Sequence, residues 1–403
     1  MSLISVADAL SAVLDKASPI NRTERVPLAE AHGRVLCETI AATRDQPPFP
    51  ASAMDGYAVL AGDTESGQTI HVIGESAAGA GFTGSVNPGE CVRIFTGAPV
   101  PDGADAILIQ ENARTDGKDH IVATEPATQG RYIRRMGFDF ARGEPLIDAE
   151  RLIDPGIACL LATANVARPL VRARPRVVVL STGNELVPVG SDMSRDQIVA
   201  SSVHGVTAIL AETGAEAIDG GIARDTIDDL GAALDRALDL EPDLVVTLGG
   251  ASVGDHDLVL PVFAARGINM SFEKVAMQPG KPLMHGHDGT RPYLGLPGNP
   301  VSSLVCARLF GQPLVAKLAG RRHRHRWRKG VLGCDLPPNG DREQYMRASL
   351  SSESPLVATP FEQQDSSLVS RYAGADALVL RHPNAPAALQ GESCNLILLR
   401  DWG

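Results

Sequence analysis

The chain has 403 residues, a formal net charge of -11 and a composition that is 44% hydrophobic and 21% charged. This length predicts several domains rather than one core, and the composition is typical of a globular protein. The negative charge argues against a broad surface for nucleic acid or anionic membrane, so we expect neither partner. Six cysteines without a C-x-x-C pair favour a reducing compartment. No segment resembles a signal peptide or a membrane span, so we expect a cytoplasmic location.

Residues 1–174 predict two domains, one inserted into the other. Ser5 begins a capping box, and helical patterns near both ends of this region predict a helical linker domain built from residues 1–47 and 141–174. Between these segments, short β-type runs alternate with turns rich in Gly, Pro and Asp. This alternation predicts an inserted all-β domain over residues 48–140.

Residues 175–325 alternate strand and helix patterns, which predicts a doubly wound parallel sheet as the central α/β domain. The runs 176–180 and 243–248 are rich in Val and Leu, as in strands that are buried on both faces. Ligands of such sheets bind at the carboxyl ends of the strands. Here these ends carry Gly, Ser, Thr and acidic residues, which suits a phosphorylated ligand held partly through a divalent metal.

Short strand patterns return over residues 326–403 and predict a C-terminal β domain. The basic run 321–329 lies at this junction, and its place in an acidic protein favours a solvated connector over a nucleic-acid site. His323 and His325 lie within the run, but we do not expect them to bind a metal because the neighbouring arginines would repel a cation. The predicted fold is therefore multidomain, α/β plus β.

Two Gly/Pro loops of the α/β region predict an anion site. The loop 278–282 contains Lys281, and the loop 296–300 opens into a helical pattern that contains Ser302. A helix N-terminus presents free backbone N–H groups and a partial positive charge. One such loop is equally well interpreted as a plain tight turn. The recurrence of such loops, together with acid-bearing turns after two strands, favours a ligand site.

Acidic residues at the predicted strand ends indicate a metal site. Glu185, Asp225 and Asp257 each follow a predicted strand. Oxygen ligands that converge at strand ends suit Mg²⁺, which keeps several waters and bridges phosphates. We therefore predict a Mg²⁺ site at these three carboxylates. The alternative interpretation is that each residue caps a neighbouring helix.

Five motifs, in the same order along nearly the whole chain, resemble the molybdopterin molybdenumtransferase family, which is related to the E domain of the scaffold protein gephyrin. They are residues 52–59 (SAMDGYAV), 93–101 (RIFTGAPVP), 181–186 (STGNEL), 249–254 (GGASVG) and 296–300 (LPGNP). The resemblance implies an enzyme of molybdenum-cofactor biosynthesis that inserts molybdenum from molybdate into adenylylated molybdopterin and releases AMP. It also implies a homodimer with sites shared between subunits, and transient contact with the molybdopterin adenylylating enzyme. A tungstate-specific enzyme and a non-catalytic molybdopterin-binding or scaffold homologue stay open as alternatives.

The resemblance also implies the site residues. Asp55 lies in a turn where local chemistry alone predicts a structural hydrogen bond, but the resemblance places it in the active site. The residues implied in catalysis and oxyanion binding are Asp55, Thr96, Lys274, Lys281, Arg347 and Ser366. Those implied in binding the molybdopterin nucleotide are Thr182, Gly183, Gly249, Gly250, Ser252, Gly254, Pro297, Gly298, Asn299 and Ser302. Some family members carry Lys where this chain has Gln278, which leaves one charge fewer in the predicted oxyanion site.

Overall fold

A computed structural model describes residues 3–250 and 258–400 of the chain, which divides into two compact units. The larger unit comprises Met1–Glu24, Gly33–Val35 and Val171–Gly403, and the smaller unit comprises Arg25–His32 and Leu36–Leu170. None of the helices in the described ranges combines the length and the apolar character that a membrane span requires.

The helices are short and mostly belong to the larger unit. Those described are Val6–Asp15, Pro155–Thr163, Ser202–Ala211, Ile227–Asp239, Val259–Ala265, Pro300–Cys306, Gln312–Leu318 and Val369–Ala373. A π-type segment, Ala307–Gly311, joins the sixth and seventh of them, and single 3-10 turns lie at Leu28–Glu30, Ala61–Asp63 and Gln110–Asn112. The first helix begins as the capping box predicted, because Ser5 Oγ accepts a hydrogen bond from the Asp8 N–H at 3.1 Å.

A six-stranded sheet forms the centre of the larger unit. Its strand order is Glu216–Ala223, Arg176–Thr182, Leu244–Leu248, Pro292–Leu296, Met284–His287 and Asn269–Phe272. The first four strands are parallel, and the last two add antiparallel pairs. Val177 and Val179 are buried in one hydrophobic cluster and Val178 and Leu180 in another, so helices cover both faces of the sheet. The predicted doubly wound α/β fold is therefore confirmed, with an antiparallel edge.

The N-terminal helix packs on the α/β core. Ala9 and Val13 are fully buried and share a hydrophobic cluster with Val177 and Phe310. The grouping of the first 24 residues with the α/β sheet differs from the predicted boundary, which joined residues 1–47 to residues 141–174. The four predicted domain boundaries themselves stay predictions.

The C-terminal residues form a closed β sheet within the larger unit. Its strands are Glu343–Glu353, Leu356–Pro360, Trp327–Leu332, Ser393–Leu398 and Ala377–Arg381. The first strand also pairs with the last, so the sheet closes on itself. The short strand Met277–Gln278 comes from the α/β region and adds to this sheet in parallel with Glu343 and Gln344. The predicted C-terminal β domain is thus confirmed, and it shares a strand pair with the α/β region.

The smaller unit contains the sheet that the sequence predicted for an inserted β domain. Its strand order is Ala106–Ile109, Gly56–Val59, Glu90–Ile94, Thr69–Ser76, His120–Ala123 and Ala113–Asp116. The remaining short strands of the chain are Thr23–Arg25, Ile40–Ala41, Ala51–Ser52, Ile133–Arg134, Pro145–Ile147, Leu170–Arg172, Leu186–Val187 and Ile198–Val199. Every residue of the strand Gly56–Val59 is buried, because Tyr57 and Val59 pack into one hydrophobic cluster and Ala58 into another.

Candidate active site

The carboxyl ends of the parallel strands carry glycine turns that border an open cavity of about 640 Å³ in the larger unit, which we call the strand-end cavity. The predicted site residues that line it are Thr182, Gly183, Glu185, Asp225, Gly249, Gly250, Pro297, Gly298 and Asn299. Pro282 and Ser367 line it from the loops that follow other strands. The cavity therefore lies where ligands of doubly wound sheets bind.

The turns after three neighbouring strands approach one another closely at Thr182, Gly249 and Gly298. A Cβ at Gly249 would lie 2.8 Å from the carbonyl oxygen of Thr182, and a Cβ at Gly298 would lie 3.4 Å from the Cα of Gly249. The backbone of Gly249 is also in the left-handed region, with φ +94°. Only glycine suits this position, so the turns after three neighbouring strands present main chain rather than side chains at the cavity wall. Main chain at close range is suited to binding phosphate groups.

Two of the three predicted metal ligands lie at this cavity. The turns that carry them are tied together, because Asn184 N–H donates to Asp225 Oδ2 at 3.3 Å and Asp225 N–H donates to Asn184 Oδ1 at 3.1 Å. A Cβ at Gly183 would lie only 2.8 Å from the carboxylate oxygens of Glu185. Glycine at this position therefore leaves room for that carboxylate. Among the described residues, no three His, Cys, Asp or Glu side chains are placed to hold a metal. The third predicted ligand, Asp257, lies outside the described residues, so the Mg²⁺ site stays a prediction.

Arg347 is a buried cation beside Asp365, two residues before the cavity-lining Ser367. It is 0% exposed, and its Nη2 donates to the Asp365 carbonyl at 3.0 Å. Its Nε and Nη1 atoms have no hydrogen-bond partner within the described part of the chain. Burial lowers the pKa of Arg347, while the nearby Asp365 acts in the opposite direction. A buried cation with two unused donors is costly unless an anion completes it.

The loop beside Arg347 is attached to the start of a helix that borders the cavity. Asn299 Nδ2 donates to Ser366 Oγ at 2.9 Å, and the Val301 N–H donates to the Ser366 carbonyl at 3.0 Å. Ser366 therefore lies where the C-terminal domain meets the turn before the helix Pro300–Cys306. The Val301 N–H is therefore already bonded and Ser302 is buried, 5% exposed, and the role of Ser302 in nucleotide binding stays a prediction.

The loop with Lys281 is fixed against the same helix. Gly280 has φ +115°, and a Cβ there would lie 2.5 Å from the Sγ of the buried Cys306. The Lys281 carbonyl accepts from the Val275 N–H at 2.9 Å, whereas its side chain is exposed. The close contact at Gly280 thus holds the loop on the helix and leaves the Lys281 ammonium free to meet an anion.

Asp55 and Thr96 form a separate constellation in the smaller unit. Asp55 Oδ1 accepts from both the Thr96 N–H and the Thr96 hydroxyl at 2.7 Å. These two hydrogen bonds lower the pKa of the Asp55 carboxyl. A Cβ at Gly56 would lie 2.1 Å from the Leu108 carbonyl oxygen, so the strand that follows Asp55 has to begin with glycine. The structure therefore holds Asp55 ionised in one orientation, and its role in catalysis stays a prediction.

Comparison with known proteins identifies the family. The chain matches the MoeA N-terminal region (domain I and II) over residues 4–165, a probable molybdopterin binding domain over residues 178–317, and the MoeA C-terminal region (domain IV) over residues 329–399. It is 37% identical to molybdopterin molybdenumtransferase 2 of Mycobacterium tuberculosis, over 82% of this chain and 84% of that protein. The chain belongs to the molybdopterin molybdenumtransferase family.

Other members of the molybdopterin molybdenumtransferase family agree with this assignment. The relative from Nostoc is 35% identical over 81% of this chain and 77% of its own length. The molybdopterin biosynthesis MoeA protein of Pyrococcus horikoshii superimposes with a TM-score of 0.84 at 30% identity, and the match covers 100% of both chains. The family and the enzyme class that the sequence motifs predicted are confirmed.

Sequence reasoning missed one residue of this molybdopterin molybdenumtransferase. Arg342 Nη2 donates to Gln278 Oε1 at 3.2 Å, so a guanidinium lies beside the position where the sequence indicated a missing charge. The contact exists because the strand Met277–Gln278 pairs with Glu343 and Gln344. No local pattern signals it, because 64 residues separate the two partners along the chain. Ser252 and Gly254, which the resemblance implied in nucleotide binding, lie outside the described residues.

A second contact between the α/β region and the C-terminal domain lies in the π-type segment that follows the helix Pro300–Cys306. Arg308, in the π-type segment, donates from Nε to the Tyr372 hydroxyl at 3.0 Å and from Nη1 to Glu212 at 3.2 Å. Tyr372 belongs to the helix Val369–Ala373, which follows Ser366 closely in the chain. π-type turns are frequent near functional sites because they shift side chains out of the regular helical position. Arg308 connects the π-type segment to the helix Val369–Ala373, which follows the loop that carries Ser366.

Proposed function

We propose that this protein inserts molybdenum from molybdate into adenylylated molybdopterin and releases AMP. The observation that carries the proposal is the buried guanidinium of Arg347, which donates from Nη2 to the loop of Ser366 and whose Nε and Nη1 have no partner among the described residues. A tetrahedral oxyanion accepts several hydrogen bonds at once and would complete these donors. Relatives of this protein bear the name molybdopterin molybdenumtransferase, which agrees with the transfer of molybdenum to molybdopterin.

The glycine turns of the strand-end cavity suit the phosphates of the nucleotide. Gly249 and Gly298 line this cavity, and their main-chain N–H groups would bind the phosphoanhydride. Glu185 and Asp225 would hold Mg²⁺, with Asp257 as a further ligand by prediction. When bound, Mg²⁺ supplies charge withdrawal from the phosphates. Lys281 and Arg347 would stabilise the negative charge that develops as the phosphoanhydride is cleaved.

We further propose a homodimer in which Asp55 and Thr96 of one subunit complete the site of the other. The proposal rests on the rigid, ionised state of Asp55, which has no evident role within its own turn beyond its bonds to Thr96. An adenylylated substrate has to come from an adenylylating enzyme, so we also propose transient contact with that enzyme.

The decisive experiment mixes the full-length protein with adenylylated molybdopterin, Mg²⁺ and molybdate. AMP release is followed by chromatography, and molybdenum on the pterin is followed by elemental analysis. We expect both to require molybdate, and a parallel reaction with tungstate measures the choice between the two oxyanions. Asp225→Asn should slow both by orders of magnitude, because the metal is the main neutraliser of phosphate charge. The matched control is Asp239→Asn, at the exposed end of the helix Ile227–Asp239.

Two outcomes would contradict the proposal. Wild-type protein that releases AMP without loading molybdenum would be a hydrolase of the nucleotide. Full activity of Asp225→Asn would remove the metal from the phosphate chemistry.

A further inference from the structure

A second cavity, of about 670 Å³, adjoins the strand-end cavity, and we call it the side cavity. Both cavities are lined by Ser181, Gly183, Leu186 and Ala200, so they share part of their walls. The side cavity lies between the edge strand Glu216–Ala223 and the segment that follows Gly183. Its volume is in the range of small-molecule sites.

A β-bulge in the edge strand shapes the side cavity. Val179 pairs with Asp219, but Ser181, two residues later, pairs with Ile222, so the edge strand contains an extra residue. A Cβ at Gly220 would lie 2.7 Å from the side chain of Leu180, so the bulge requires glycine at this point. Asp219 and Ile222 both line the cavity as a result, whereas residues three apart in a regular strand face opposite sides.

The lining of the side cavity combines apolar and polar side chains. Leu186, Val203 and Ile222 provide apolar surface, and Gln197 and Asp219 provide hydrogen-bonding groups. Asp219 Oδ1 accepts from the Gly221 N–H at 2.8 Å, which fixes the orientation of its carboxylate. A carboxylate has further lone pairs, so this bond leaves acceptor capacity for a ligand. Apolar walls and a fixed acceptor at the edge suit a flat heterocycle that carries N–H donors.

We propose that the side cavity binds the pterin ring of the substrate, with the Asp219 carboxylate accepting from its 2-amino group and its N3–H. The inference rests on the proposed function, because the same substrate places its phosphates in the strand-end cavity. A 2-amino-4-oxopteridine presents two adjacent donors on one edge, which a carboxylate binds in bidentate fashion. Adenine is a poorer match, because its amino group lies next to a ring nitrogen that is an acceptor and repels a carboxylate.

The test measures binding of two probes to the full-length protein, free 2-amino-4-oxopteridine and AMP, by calorimetric titration. Asp219→Asn keeps the volume and the acceptor for Gly221 but replaces one carboxylate oxygen with an amide donor. It should weaken pterin binding by about tenfold to a hundredfold and leave AMP binding unchanged. Asp239→Asn is the matched control. A second variant, Ile222→Trp, fills the cavity without touching the acidic group, and it should also weaken pterin but not AMP.

Several results would overturn the inference. The first is that the wild-type protein does not bind the pterin, and the second is that both variants bind the pterin as the wild type does. The third is that the variants lose AMP binding, whether or not they also lose pterin binding. These readouts are independent of molybdenum transfer. Wild-type protein that binds pterin through Asp219 but transfers no molybdenum would keep this inference and reject the proposed function. Wild-type protein that transfers molybdenum, with variants that bind the pterin as the wild type does, would keep the proposed function and reject this inference.

Discussion

Replacement of Arg347 by Met should separate stability from function. The guanidinium is fully buried, and two of its donors have no partner among the described residues. Each unsatisfied buried donor costs about 1–3 kcal/mol, so the substitution recovers about 2–6 kcal/mol. It also loses the bond from Nη2 to the Asp365 carbonyl, which is worth about 1.5–3 kcal/mol because the donor is charged. Without an oxyanion, we expect Arg347→Met to be as stable as the wild type or more stable by about 1–3 kcal/mol.

Addition of molybdate should reverse this order. A ligand that binds only the folded state adds about 2.7 kcal/mol of stability at a hundredfold excess over its dissociation constant. Wild-type protein should gain this amount, and Arg347→Met should gain almost none. The assay is urea unfolding with and without saturating molybdate, with Arg324→Met as the control because Arg324 is exposed in the basic run. The reasoning fails if Arg347→Met loses more than about 3 kcal/mol without molybdate, or if molybdate still stabilises it.

Three further predictions concern pH, assembly and the position of Ser366. Burial lowers the pKa of His285 to about 4, so the unfolded chain takes up this proton first as the pH falls. The free energy of unfolding should therefore drop by up to about 3 kcal/mol between pH 6.5 and pH 4. Urea titrations of His285→Leu should show a clearly smaller drop over the same range. An identical drop in this variant would assign the effect to other groups. Subunit exchange between inactive Asp55→Ala and inactive Asp225→Ala dimers should restore AMP release, because one site of the mixed dimer carries neither substitution; no recovery after verified exchange would mean that each site is built from one chain. Tyr372→Phe removes the acceptor for Arg308 Nε. This change should raise the molybdate concentration for half-maximal rate several-fold and leave AMP binding unchanged. An equal loss of affinity for molybdate and AMP would indicate general destabilisation instead.

Local patterns were sufficient for the strands and turns that carry the site. The run of β-branched residues from Val177 to Val179 predicted a strand buried on both faces because such a strand needs apolar side chains at every position. The glycines at positions 249 and 298 predicted turns from their composition, and the structure shows that a Cβ at Gly249 would lie only 2.8 Å from the Thr182 carbonyl oxygen. These features depend on residues close in the chain, and local chemistry is what a sequence displays directly.

Features that depend on distant residues were not predictable. The pairing of Gln278 with Arg342 depends on a strand contact between two domains, and neither segment carries a signal for its partner. The bulge beside Asp219 depends on the packing of Leu180 against Gly220. The unused donors of Arg347 are visible only once the burial of that side chain is known. For Asp257, the sequence gives a role but the described residues give no test.

The contact between Arg342 and Gln278 has a consequence for protein engineering and for evolutionary comparison. A cation in one place can be supplied from different positions in the chain, provided that the fold brings those positions together. In this protein the guanidinium reaches the loop from the C-terminal sheet, and it is fixed there by the strand pair of Met277 and Gln278 with Glu343 and Gln344. A chimera that exchanged the C-terminal domain alone would separate Gln278 from its cation, even though every residue of the loop was kept. Positions 278 and 342 therefore have to be transplanted, and compared between relatives, as a pair.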